Sequence, residues 1–400
     1  MGFTIKQNTK VAVEIEVTEG THVDPQSGAA FISPLSDGLE MLPAKEQLDR
    51  NNLNASIGKS TPRTGLKSVT GTIPVEMKSN GTEGAAPEYG PLVEACLGAK
   101  RNAVTKTMSD ADDSGGNAYS DTIIRLADAD AGTYNVGDIV TTKRAGAYHT
   151  SPIASVNDTA GEVEIVLLIA DPAGAYVNGI DIAAVQTYLP ANEGHPSLSV
   201  TKYVEDSVKE TATGVRCTSM ALNNFTTGQL ADMSFGFEGL SFDRALEAPT
   251  QTPAFDAALP PVILNACVFQ DGVSIDVNEF TISVENTLGF ITSTCEDSGK
   301  KGSRITERVV SGSIDPYKQD DDITNFTKFN SNTTFSLFAS AHNPTGVAGE
   351  YEDVVAFYLP NCLTTEIGEA DQDGVLQETL SFSANRGADG SEEELYMSLT

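Results

Sequence analysis

Only a handful of spacings in this sequence could carry chemistry, and each falls short of its pattern. Gly58-Lys59-Ser60-Thr61 looks like the end of a phosphate-binding loop, in which backbone N–H groups cradle phosphates beside a lysine. That motif needs a glycine five residues before Gly58, and Leu53 stands there. Asp110, Asp112, Ser114, Gly115 and Asp121 partly follow a calcium-loop pattern, with Asp121 in place of the bidentate glutamate and no helical periodicity on either side. Asp371-Gln372-Asp373-Gly374 would reach Leu380 at its twelfth position, so it reads as a hairpin turn. His22, His149, His195 and His342 lie far apart, beside no serine or cysteine in a nucleophile setting, with His195 and His342 expected at loop edges. Glu392-Glu393-Glu394 reads as a solvated tail rather than two carboxylates facing one bond. Cys96, Cys217, Cys267, Cys295 and Cys362 are odd in number, scattered and without CxxC spacing, so small buried hydrophobes are expected, not disulfides or a zinc site. No catalytic residue, no cofactor and no metal is expected.

Composition narrows the partners. With 25 basic against 56 acidic residues and a net charge of -31, no large face can be spared to neutralise phosphates, which argues against tight DNA or RNA binding. Met1 to Asn8 carries no apolar stretch behind a basic segment, so no secretory signal is expected. The best apolar run, Val163 to Ala170, is far short of the roughly 20 residues that span a bilayer.

The elements that must position any functional surface are mostly strands: short Val/Ile/Thr/Phe-rich runs alternate with period two between Gly, Asn, Asp and Pro. Pro87 to Ala99 is the exception, because Tyr89, Leu92, Val93, Cys96 and Leu97 form one helical stripe that Gly98 ends. Val69-Thr70-Gly71-Thr72-Ile73-Pro74 matches Val310-Ser311-Gly312-Ser313-Ile314-Asp315, each strand placing Val, Gly and Ile on one face and hydroxyls on the other. A helix follows each copy, Pro87 to Ala99 and then the shorter Asp322 to Phe329. Strands Ser197 to Val204 and Thr333 to Ala341 come next. The closing pairs are Gly214 to Leu222 with Leu230 to Gly239, and Val354 to Cys362 with Leu376 to Ala384, in which Met233-Ser234-Phe235 echoes Leu380-Ser381-Phe382. The order occurs twice, on either side of a Pro- and Ala-rich linker, 248–261. Residues 100–195 are extra to the first copy and read as an inserted small β-barrel domain, with strands at Thr122 to Leu126, Val136 to Val140, Ile153 to Val156 and Val163 to Ile169.

Arg50-Asn51-Asn52-Leu53-Asn54-Ala55-Ser56-Ile57-Gly58, Gly65, the Gly71 strand, Asn80-Gly81-Thr82 and the Pro87 to Gly98 helix are similar to the tail tube proteins of long-tailed phages. The likeness resumes at Pro196 to Tyr203 and at Ser219 to Gly239, with a fainter echo over 262–385. It implies a β-sandwich or barrel module with one flanking helix, a pattern from which this chain departs because the repeat gives it two in tandem: 1–99 with 196–247, and 262–400. It also implies stacked rings around a lumen that holds tape measure protein and DNA without tight binding. Two modules per chain make a trimeric, pseudo-hexameric ring the expectation, with a hexamer as the alternative, while Asp37 to Arg63 would reach a neighbouring ring. The hydroxyl and acidic faces with Thr70, Thr72, Asp232, Ser234, Glu238, Ser311, Ser313 and Asp315 are candidates for the lumen wall. The rival reading is a tail-tip or receptor-binding virion protein, against which the absence of tryptophan counts.

Overall fold

The computed structural model describes residues 8–52, 57–108, 122–144, 147–166, 181–264, 266–319, 323–343, 353–387 and 390–400. The calcium-loop candidates Asp110, Asp112, Ser114, Gly115 and Asp121 lie outside these. The chain opens with β1 (Thr9–Ile15), β2 (Phe31–Ile32), β3 (Glu40–Leu48), β4 (Arg63–Glu76), α1 (Gly90–Leu97) and β5 (Gly98–Ala103). There follow β6 (Lys106–Thr107), β7 (Ile123–Arg125), the single turn α2 (Asp128–Ala131), β8 (Ile139–Arg144), β9 (Ala147–Asn157), β10 (Glu162–Ile165) and β11 (Asp181–Ile182). Next are β12 (Val185–Pro190), β13 (Leu198–Val204), β14 (Val208–Asn223), β15 (Asp232–Gly239) and β16 (Ser241–Ala245). The rest comprises β17 (Cys267–Gln270), β18 (Val273–Ile275), β19 (Val277–Thr292), β20 (Lys300–Pro316), α3 (Thr324–Ser331), β21 (Phe335–Asn343), β22 (Asp353–Gln372), β23 (Val375–Ala384) and β24 (Tyr396–Leu399). The protein is mostly β, as the period-two runs imply.

Two long strands organise it. The first part of β14 pairs with β13 and β16, and its last part pairs with β15 and β19. A bulge between Cys217 and Ser219 turns the strand from one layer into the other. β22 behaves alike: its start pairs with β21 and β24, its end with β23, and a bulge falls between Thr364 and Glu366. Between the layers lies one core, which contains Ile73, Phe235, Met220, Val284, Val310 and Phe382 together with the α1 stripe Tyr89, Leu92, Val93, Cys96 and Leu97. α1 ends where Gly98 takes a φ of 111°, a left-handed conformation that glycine adopts without cost.

The register corrects one sequence match. Phe237 lies opposite Gly71 on β4, and Phe382 lies opposite Gly312 on β20. The counterpart of Phe382 is therefore Phe237, two residues beyond the Phe235 of the Met233-Ser234-Phe235 echo. Both glycines are needed at these points. A Cβ on Gly71 would overlap the Glu40 carbonyl and the Phe237 ring, and one on Gly312 would overlap the Thr281 carbonyl and the Phe382 ring.

The described residues between 106 and 182 form a separate six-stranded sheet with its own core around Ile124, Val140, Ile153 and Val163. β5 and β12, which flank it, belong to the large sheet: they pair with each other, and β12 also pairs with β24. Ile139 of the smaller sheet joins Phe269, Phe338 and Val354 in a satellite cluster. Two further expectations change. Glu392 and Glu394 are not a solvated tail, because they grip the buried Arg308 guanidinium at 2.7 and 3.4 Å. Cys96, Cys217 and Cys362 are buried, but Cys267 and Cys295 are exposed. The Asp371 to Gly374 turn is the expected hairpin, with Asp373 at φ 52° and Gly374 at φ 88°.

Because Ala103 pairs with Val185, replacing residues 104–184 with Asn-Gly closes β5 and β12 as a two-residue hairpin. This variant is expected to fold with a melting temperature lowered by several degrees, as Phe269 and Phe338 lose cover. Excising residues 100–195 removes both strands and strips β24, and is expected to yield no soluble protein. Circular dichroism melts check both outcomes.

Candidate functional site

The feature that stands out is a polar sheet face. β3, β4, β15, β14, β19, β20, β23 and β22 pair in that order as one antiparallel sheet, with β14 against β19 joining the two halves. Its junction is made by Ser219↔Glu285, Met220↔Val284, Ala221↔Ser283 and Leu222↔Ile282. Phe225 packs edge-on against Phe280 at 5.6 Å across it.

Period-two alternation sends Val69, Ile73, Phe235, Met220, Val284 and Val310 to the core. The other face collects small hydroxyls and acids. Along one row stand Ser234, Ala221, Ser283, Ser311 and Ser383, and along the next Glu76, Asp232, Asn223, Thr281, Ser313 and Ser381. All eight residues singled out from the sequence, Thr70, Thr72, Asp232, Ser234, Glu238, Ser311, Ser313 and Asp315, fall on this face. Glu40, Glu279, Glu285, Glu307 and Glu366 join them, exposed; Arg216 stands opposite Glu238, while the two rows through Ser234 and Asp232 contain no lysine or arginine among the described residues. The sequence pattern missed these five because they lie outside the repeated six-residue match.

Three of the acids are tied up locally. Asp315 accepts the N–H groups of Asn278 and Glu279 at 3.1 and 2.6 Å, which pins the bulge at the start of β19. Burial pushes its carboxyl up despite these bonds. Asp232 holds the side-chain amides of Asn223 and Asn224. Glu238 pairs with Lys300 at 3.2 Å. The acids of the face without such a contact are therefore those of β3, β4, β19, β20 and β22.

The two halves are also clamped by charge at the end of the junction. Glu19 accepts the Ser303 N–H at 2.6 Å, Arg216 at 3.0 Å and Arg304 at 2.8 Å. Burial alone would raise its carboxyl, but these bonds hold it below the usual carboxylate range. His195 sits beside this clamp, half-buried in the loop before β13. Its burial, with Arg308 and Arg216 nearby, pushes its pKa down to about 4. The four histidines are not brought together: His22 contacts Asp24, His342 contacts Ser340 on its own strand, and His149 is buried on β9. Among the described residues no three His, Cys, Asp or Glu side chains gather as a metal site. Gly58, Lys59 and Ser60 line an open loop depression with Arg50 and Asn52.

At the two ends of this strand order, the outer side of β3 and the side of β22 residues 363–372 turned away from β23 have no strand beside them among the described residues. A model of the phage tail tube protein family matches residues 6–384. The chain belongs to that family. No curated protein matches it. A tail tube protein is a structural component of the virion tail, and membership implies self-assembly into a tube; the family is not an enzyme family. No described helix is long and apolar enough to cross a membrane.

Gly71→Ala and Gly312→Ala are each expected to cost about 2–3 kcal/mol, because the methyl meets backbone and a packed ring. Gly368→Ala, where a Cβ finds ordinary contact with Thr379, should cost less than about 0.5 kcal/mol in the same urea melts. His195 yields the pH prediction. The folded state keeps it neutral down to about pH 4 while the unfolded chain protonates it near the ordinary value of 6.5. Its contribution to stability therefore declines as pH falls from about 6.5 to about 4, and is constant above. His195→Gln is expected to flatten that part of the stability profile.

Proposed function

We propose that the chain closes with two further copies into a pseudo-hexameric ring, and that these rings stack into a tube whose bore conducts DNA past the polar face. The observation that carries this reading is the internal junction. By register, β3, β4, β15 and β14 correspond to β19, β20, β23 and β22, down to the bulges at Cys217/Ser219 and Thr364/Glu366 and those at Lys45/Gln47 and Thr287/Leu288. The chain thus behaves as two tandem modules, with residues 106–182 inserted into the first and displayed outside. β14 against β19 is one module pairing with the next, and the edges left over are β22 at one end and β3 at the other. Pairing β22 with β3 of the next copy repeats that junction, with Glu366↔Ala44, Ile367↔Pro43, Gly368↔Leu42 and Glu369↔Met41.

Size separates three chains from six. Three copies supply 24 strands, which at about 4.8 Å spacing and about 40° tilt close to a backbone diameter of about 48 Å. Side chains take about 5 Å from each side. The bore then fits one duplex with water and ions about a Debye length deep, roughly 8 Å. Six copies would double the diameter and leave DNA far from any wall.

The acids on the polar face support an inward orientation. Duplex DNA carries about one charge per 1.7 Å, so a basic bore would hold phosphates cumulatively, whereas carboxylates and hydroxyls leave DNA, and the tape measure protein before it, free to slide. Thr70, Thr72, Ser234, Ser311 and Ser313 serve as wall residues alongside Glu279, Glu285, Glu307 and Glu366. Asp232, Glu238 and Asp315 also face the bore but hold neighbouring side chains or backbone, so exchanging them would confuse wall charge with folding. The β3–β4 hairpin, with Ile57 fully exposed near its tip, reaches toward the adjacent ring.

The test is an Ala44→Cys/Glu366→Cys variant in a Cys267→Ser/Cys295→Ser background. Oxidised tubes are expected to give covalent dimers and closed trimers on denaturing gels. Tubes visible by negative stain that yield no covalent species would overturn this ring closure, and monodisperse particles under all conditions would favour a binding protein of the tail tip. Separately, Glu285→Lys/Glu307→Lys should leave tube assembly intact but slow genome delivery.

A further inference from the structure

We propose that the C-terminal end of α3 is a docking site for Lys45 and Lys67 of the neighbouring copy, rebuilding between chains a contact that Asn286 and Arg308 make to α1 within one. The inference rests on the ring reading above and adds a second point of attachment on the core side of the sheet.

Within the chain, Asn286 donates to the Cys96 carbonyl at 3.0 Å and to the Cys217 carbonyl at 3.3 Å. Arg308 donates to the Leu97 carbonyl at 3.3 Å and the Ala191 carbonyl at 3.1 Å. The last turn of α1 is thus held by two side chains from the module beside it. Helix ends leave their final carbonyls unpaired and carry partial negative charge, so donors and cations are favoured there.

The same geometry has an unfilled counterpart. Asn286 and Arg308 are a cross-strand pair of β19 and β20, and the Gly312/Gly71 register makes Lys45 and Lys67 their equivalents on β3 and β4, where they too face each other. Two like charges directly opposite on a sheet repel. Both are exposed, and among the described residues neither ammonium has a hydrogen bond or ion pair, while Glu46, next to Lys45 on β3, accepts the Leu66 N–H. On the other side, α3 ends at Asn332 with φ 49°, as α1 ends at Gly98, so Asn330 and Ser331 stand where Cys96 and Leu97 do. Thr364 corresponds to Cys217 by its bulge.

α3 also lacks the cover its counterpart has. Ile323 and Phe326 are 69% and 56% exposed, whereas Tyr89 and Leu92, at the equivalent positions, are 0% and 1% exposed. The occupant is therefore a second copy of this chain: its β3 edge arrives beside β22 with two unpartnered cations aimed at a helix end that favours cations.

The experiment uses the full chain with Cys267→Ser and Cys295→Ser, carrying Lys45→Cys and Ser331→Cys, treated with a short thiol-reactive crosslinker after tube assembly. A ladder of dimer and closed trimer is expected. If this pair gives none while the Ala44→Cys/Glu366→Cys pair does, the α3 contact is overturned and ring closure stands; if neither pair links in visible tubes, ring closure fails and takes this contact with it. As a second readout, Lys45→Glu/Lys67→Glu should raise the concentration needed for assembly roughly tenfold, the worth of two cations at a helix end. Lys45→Arg/Lys67→Arg should assemble as the wild type does. Unchanged assembly of the glutamate variant, with an unaltered melting temperature, would overturn the proposal.

Discussion

A strand at the edge of a sheet carries a row of N–H and C=O groups that must be bonded by something, and the rest of this structure depends on how those rows are satisfied. β14 and β19 would each be an edge if the halves were separate; set against each other, they convert two edges into one continuous sheet. The Glu40 and Thr281 carbonyls lie against Gly71 and Gly312, so both first strands turn alternate groups inward to β4 and β20. The groups of Ile282 and Val284 point the other way and are met by β14. Those of Met41 and Pro43 point out from β3, and Pro43 donates nothing, which makes this edge a poor template for arbitrary strands.

Packing enforces the same alignment. Phe237 and Phe382 lie flat over glycines, so a two-residue slip would drive either ring into a side chain. The bulges in β14 and β22 let one strand serve both layers, and the core runs without a break from the α1 stripe to Val284 and Val310. The β5–β12 pair extends the second layer by binding β24, which brings the described part of residues 106–182 against the far half of the chain as well as against β5.

Much of this was legible because it is local. The α1 stripe, the Gly71 and Gly312 strands, the hairpin at Asp371 and the placement of hydroxyls on one face all follow from period and turn chemistry. What escaped the sequence depends on distant partners. Glu392 and Glu394 look like a tail until Arg308, far back in the chain, is beside them. Met233-Ser234-Phe235 matches Leu380-Ser381-Phe382 by residue type, yet pairing with Gly71 and Gly312 places Phe237 at the level of Phe382, and cross-strand register leaves no mark in composition. Asp315 looks like a surface acid and is a backbone clasp. The bare face of α3 carries no signal at all, because Ile323 and Phe326 are the residues a buried helix would also show.

Electrostatics and closure then meet on one surface. A face of serines, threonines and carboxylates beside an apolar core can be an outer wall or a bore, and a net charge of -31 suits either. In the proposed closed ring the edges bond one another and this face turns inward. A helical reconstruction of assembled tubes tests this most directly. The account predicts three chains per ring, a 24-stranded inner wall, and Glu279, Glu285 and Glu307 pointing into the bore. Six chains per ring, or helices α1 and α3 lining the lumen, would contradict it.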